Sequence, residues 1–126
     1  MESQNPLPRL LVIDDEPGIC LAVALLLQDQ FDAVMAETVE EVRQRLAEPF
    51  ALILLDLRMP GVNGYDLLDM IRATVPRTPV AVLTAMGDRR TMDDILQHGA
   101  VALIEKPFSR QELLSHIAEI LGPPTS

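Results

Sequence analysis

A chain of 126 residues, 48% hydrophobic and 23% charged, has room for one domain with a single core and not for two ordinary ones. Ten Lys and Arg against nineteen Asp and Glu leave a net charge of −9, a field that repels nucleic acid and anionic membrane, so no direct nucleic-acid binding and no membrane association are expected. The single cysteine, Cys20, rules out an internal disulfide, and the opening residues MESQNPLPRL carry no basic-then-apolar secretory signal, so a cytoplasmic location is expected.

Residues 1–8 hold Pro6 and Pro8 among polar neighbours and read as a flexible leader to a domain spanning 9–121. Residues 10–13 form a short apolar strand, stopped by Asp14, Asp15, Glu16 and Pro17. Pro17 suits the first turn of a helix, where its missing N–H costs nothing. The helical period assigns Ile19, Val23, Leu26 and Gln30 to the inward face, with Ala22 and Leu27 at its edges. Leu21, Ala24, Leu25 and Gln28 then point away, and Leu21 and Leu25 form an apolar patch one turn long. The longest apolar run, residues 19–27, is too short to span a membrane. A second strand over about 33–36 leads to Thr38, which with Glu41 forms a capping box, and Val39, Val42 and Leu46 of the following helix face inward.

The stretch 51–64, ALILLDLRMPGVNG, is the centre of the chain. Its apolar run leads unbroken into Asp56, which suits a strand buried on both faces of a parallel sheet. Asp56 therefore stands at the carboxyl end of a central strand, where open α/β sheets bind ligands, and burying its charge requires a cation. Leu67, Leu68 and Ile71 mark a third helix that ends near Pro76, and residues 80–83 form a strand delivering Thr84. Met92, Ile95 and Leu96 mark a fourth helix closed by Gly99 as its C′ residue. Residues 101–104 form the fifth strand, running into Glu105, Lys106 and Pro107. Ser109 and Glu112 make a second capping box, and Leu113, Ile117, Ile120 and Leu121 give the last helix its core stripe. Gly122, Pro123 and Pro124 end it, residues 122–126 being a tail or the start of a linker.

Strict alternation of strand and helix predicts an α/β fold: a five-stranded parallel sheet, order 2-1-3-4-5, doubly wound with five helices, as in flavodoxin-like folds. In that order Asp14, Asp15, Asp56, Thr84 and Lys106 converge on one edge of the sheet. Three close carboxylates repel one another, and a hard divalent cation such as Mg²⁺ relieves this. A cation, a lysine and a hydroxyl around one carboxylate make a site that can receive a phosphoryl group. His98 and His116 fit structural or surface positions better than metal ligation.

The segments LVIDDE, LILLDLRMPGVNGYD, VLTA and GAVALIEKPF, together with the terminal helix, resemble the receiver domain of two-component response regulators over residues 9–121. The resemblance implies that Asp56 is the phosphoacceptor, taking phosphate from a phosphohistidine on a sensor histidine kinase or histidine phosphotransfer protein. It implies Mg²⁺, with Mn²⁺ able to substitute, held by Asp15, Asp56 and the Arg58 backbone carbonyl, and by Asp14 through water. Thr84, Ala85 and Lys106 become the phosphoryl-binding and switch residues, and the Lys106–Pro107 bond is expected to be cis. Receivers usually carry an aromatic residue three positions before the lysine, whereas this chain has Leu103 and so no ring to report activation. Leu21 and Leu25 lie on the helix where such partners dock, which makes them candidates for contact with the partner or a second copy of the domain. Such domains are not enzymes beyond their own phosphorylation and dephosphorylation, and the downstream effector is not readable here. Two rival readings are a pseudo-receiver that only docks and a phosphatase of the haloacid dehalogenase class. The latter needs an acid two residues after its nucleophile, where this chain has Arg58.

Overall fold

The computed structural model describes residues 7–85 and 92–122. Most of the expected leader (1–6), Pro6 included, and the tail residues 123–126 lie outside the described residues. The elements alternate as β1 (Arg9–Ile13), α1 (Pro17–Leu27), β2 (Asp32–Ala36), α2 (Val39–Arg45), β3 (Leu52–Asp56), α3 (Gly64–Thr74), β4 (Val80–Ala85), α4 (Met92–Gln97), β5 (Ala102–Lys106) and α5 (Arg110–Leu121). The strands form one parallel sheet in the order β2-β1-β3-β4-β5, as the alternation predicts. β3 is central and buried throughout, which is why its sequence shows no polar alternation.

Successive side chains of each strand go to opposite faces, and two apolar layers result. Leu11, Ile13, Ile53, Leu55, Val80 and Val82 pack with Val42 and Leu46 of the α2 segment, Leu67, Leu68 and Ile71 of α3 and Ile95 of α4. Leu10, Val12, Leu52, Leu54, Ala81 and Leu83 pack with Cys20, Val23 and Leu27 of α1 and with Leu113 and Ile117 of α5. Wrapping both faces brings all five strand ends to one rim, and the register Asp56↔Leu83 and Ala85↔Lys106 sets β3, β4 and β5 side by side there.

Several local expectations need correction. The fully buried residues of α1 are Cys20, Val23 and Leu27; Ile19 and Leu26 pack half-buried against the same layer, and Gln30 is half-buried beyond the end of the helix. The helix is apolar nearly all round, so periodicity alone does not fix which stripe turns inward. Met92 and Leu96 of α4 are exposed and only Ile95 enters the core, because so short a helix buries little more than one turn's stripe. Leu121 is likewise exposed, at the last turn of α5. At α2 the Thr38 hydroxyl accepts the Glu41 N–H at 3.1 Å, but the Glu41 carboxylate accepts from Glu37 N–H at 2.7 Å, so the capping box is half formed. The Ser109–Glu112 box is complete. Gly99 takes φ 92° behind α4, as a C′ glycine should. No helix among the described residues is long and apolar enough to cross a membrane.

Candidate functional site

The loop after β1 and the last residue of β3 place three carboxylates together: the oxygens of Asp14, Asp15 and Asp56 lie within 4.8 Å of one another. Asp14 is fully buried and Asp56 is 5% exposed. Each is oriented by the backbone just beyond it: Asp14 Oδ1 accepts the Glu16 N–H at 2.9 Å, and Asp56 Oδ1 accepts the Arg58 N–H at 2.8 Å. Both contacts close a small Asx-type ring across two residues, so the acids are fixed by the turns that follow their strands.

From the end of β5, Lys106 reaches over this cluster. Its Nζ donates to Asp14 Oδ2 at 3.1 Å, Asp56 Oδ2 at 3.2 Å and Glu16 Oε1 at 3.3 Å. Burial alone would depress the lysine, but hydrogen bonding and attraction from Asp14 and Asp56 outweigh it, and its pKa is raised. Burial also raises the Asp14 carboxyl; Asp56 adds repulsion, while the Glu16 N–H and Lys106 pull the other way. Desolvation leads here, ahead of the mutual carboxylate repulsion anticipated above. Beneath the site, Cys20 directs its thiol at the Asp14 carbonyl at 3.7 Å, and burial, aided by Asp14 and Glu37, pushes that thiol up to about 11. It is held as a neutral thiol.

Of the remaining expected residues, Thr84 is buried on β4, with its hydroxyl donating to the Ala85 carbonyl at 3.4 Å, outside the lysine–carboxylate network. Ala85 pairs in register with Lys106, and the Lys106–Pro107 bond is cis. Leu103 is half-buried and packs against the α2–α3–α4 layer. Leu21 and Leu25 stand on the outside of α1, 55% and 57% exposed. His98 lies apart from the site, with Nδ1 2.9 Å from Asp69 and its ring stacked on Tyr65 at 4.4 Å; His116 sits by Glu119.

Two residues of the site escaped the sequence reading. The sequence assigns Glu16 only to the strand stop, although three consecutive acids before a helix-starting proline are the available signal. Gly64 opens α3 against the turn that follows Asp56: a Cβ there would lie 2.7 Å from the Leu57 Cα and closer still to its carbonyl oxygen. Asn63 caps the same helix through the Tyr65 and Asp66 amides at 3.1 and 3.2 Å.

Comparison with known proteins gives concordant results. A family model described as the response regulator receiver domain matches residues 10–118. The response regulator protein PilR of Pseudomonas aeruginosa is 37% identical over 115 residues, covering 90% of this chain and 26% of that protein. The transcriptional regulatory protein CpxR of Escherichia coli K12 is 38% identical over 112 residues, covering 89% of this chain and 48% of that protein. The chain thus spans about a quarter to a half of the length of these curated relatives. Among solved structures, a response regulator receiver domain protein from Clostridium thermocellum superposes with a TM-score of 0.80 at 28% identity, covering 91% of this chain and 94% of that one. The chemotaxis protein CheY4 of Vibrio cholerae, at 24% identity, a TM-score of 0.81 and coverage of 91% and 99%, shares the fold.

Proposed function

The chain belongs to the response regulator receiver domain family, and from that premise we propose that it accepts a phosphoryl group on Asp56 from a phosphohistidine. The supporting observation is the lysine bridge: a single ammonium 3.1 and 3.2 Å from Asp14 and Asp56, among acids clustered on the rim of a parallel sheet. A carboxylate oxygen of Asp56 attacks phosphorus; a P–O bond forms as the P–N bond breaks, and the imidazole leaves with the electron pair and takes up a proton. Such transfers depend on positioning and charge neutralisation more than on acid–base groups. The Arg58 N–H holds the Asp56 carboxyl in one orientation, and Lys106 offers its charge to the incoming oxygens. Thr84 and Ala85, beside it on β4, complete the proposed phosphoryl pocket.

The donor set fits Mg²⁺, since close carboxylate oxygens are the hard ligands that cation takes. Asp15 and Asp56, with the Arg58 carbonyl, would hold it, and Asp14 would act through water; when bound, it supplies charge that offsets the phosphoryl oxygens. In this reading residues 9–121 are the whole domain, working in the cytoplasm with a sensor kinase or phosphotransfer protein and a downstream effector. The exposed Leu21 and Leu25 of α1 are the proposed contact with that partner or with a second copy.

With Mg²⁺ and acetyl phosphate, intact-mass measurement should show one added phosphoryl group that hydroxylamine removes. Asp56→Asn should abolish it, because an amide cannot form the acyl phosphate. Full labelling of that variant would move the acceptor elsewhere.

A further inference from the structure

A lysine ammonium has three N–H donors, and in Lys106 all three are taken by carboxylates: Asp14 Oδ2, Asp56 Oδ2 and Glu16 Oε1. A phosphoryl oxygen on Asp56 can therefore reach this ammonium only if one acceptor lets go. The three are not equivalent. Asp14 is fully buried and its other oxygen is tied to the Glu16 N–H, so releasing it would strand a buried charge. Asp56 carries the phosphoryl group on one oxygen and loses its charge, but its other oxygen remains a carbonyl that can still accept from Nζ. The Glu16 side chain is 63% exposed, makes the longest of the three contacts, and water can solvate it once released. As N-cap of α1 it makes no side-chain capping bond that would hold it in place.

We propose that Glu16 is a positioning residue, the exchangeable acceptor that parks the third N–H of Lys106 in the resting domain and is displaced by a phosphoryl oxygen. The role rests on the phosphoacceptor reading of Asp56. It predicts that the contact, rather than the negative charge, opposes phosphoryl binding.

The test separates contact from charge by comparing Glu16→Gln, which removes the charge but keeps an acceptor oxygen within reach, with Glu16→Asp, which keeps the charge on a stem too short to reach. An aspartate at an N-cap also turns toward the first amides of its helix, away from Lys106. Two readouts apply to variants verified as folded by circular dichroism. In ligand-free protein, hydrogen exchange of the Lys106 ammonium, followed by ¹⁵N NMR, should speed up in Glu16→Asp and stay close to wild type in Glu16→Gln, whose amide oxygen still accepts. Titration with beryllofluoride, a phosphoryl mimic, in Mg²⁺ should show binding tightened roughly two- to five-fold in Glu16→Asp, the range set by releasing one exposed ion pair, and changed less than that in Glu16→Gln. If Glu16→Gln tightens binding while Glu16→Asp matches wild type, the effect is one of net charge and the proposal is overturned. Unchanged exchange and binding in both variants would overturn it as well. Beryllofluoride binding by wild type with neither variant altered leaves the phosphoacceptor reading standing and defeats only the role of Glu16. No binding by wild type defeats both.

Discussion

At the scale of single residues, the site is a balance between burial and pairing, and Asp14 shows it most clearly. Burial raises its pKa more than the Glu16 N–H and Lys106 lower it, so the folded protein retains a proton that the unfolded chain gives up. Stability therefore falls as pH climbs from the unfolded aspartate value, about 3.9, toward the higher folded one, and levels off beyond it. Asp14→Asn keeps an oxygen for the Glu16 N–H and cannot ionise. In metal-free thermal melts, the stability difference between variant and wild type should shift in the variant's favour across that rise in pH. A flat or opposite trend would show that the pairing with Lys106, not burial, governs Asp14. The acids and the lysine were legible in the sequence because parallel strands must end on one rim, and polar residues directly after apolar runs mark it. Glu16 was not, because its contact with Lys106 spans 90 positions of chain and depends on a side-chain rotamer that no periodicity encodes.

At the scale of elements, legibility followed the contrast between faces. α3, with Leu67, Leu68 and Ile71 set among polar residues, was read correctly, and all three are buried. α1 is legible only in part: Val23 is buried, and Ile19 and Leu26 pack half-buried against the core, as its period predicts. Leucines surround the helix, however, and only the sheet decides that Cys20 and Leu27 are the residues buried beside Val23. The junction of β3 and α3 carries a constraint the sequence hides: Gly64 lies against the Leu57 backbone one residue beyond Asp56. Alanine gains up to about 1 kcal/mol of helix propensity over glycine. Its methyl group, however, would have to displace backbone rather than a flexible side chain, and overpacking of that kind costs roughly 1–3 kcal/mol. Gly64→Ala should therefore lower the melting temperature, by a few degrees per kcal/mol of net loss. It should also slow labelling by acetyl phosphate, because the turn so displaced carries the Arg58 N–H that orients Asp56. A variant as stable as wild type would mean that the turn yields freely.

At the scale of the whole molecule, two-sided winding buries the apolar face of each strand and leaves the helices to meet other proteins. Most outer helical surface here is charged or polar, but α1 presents Leu21 and Leu25 half-exposed, with Leu25 bordering an open groove beside Leu7, Ala24 and Phe31. Fully burying a leucine is worth roughly 1.5–3 kcal/mol, and each of these is already nearly half covered, so a partner would gain about half of that from each. The sum suits a transient contact, which a signalling module must be able to leave. Scattered exposed leucines are ordinary, so the two must be tested together. Leu21→Glu with Leu25→Lys removes the patch and sets an acid one turn before a base, a pairing that supports the helix. Labelling by acetyl phosphate, which needs no docking surface, should survive the double change. Transfer from a cognate phosphohistidine protein should fall, or self-association measured by sedimentation should weaken, according to which surface the patch meets. If transfer and oligomeric state both remain at wild-type values in a folded double variant, the two leucines are plain surface and the docking proposal fails.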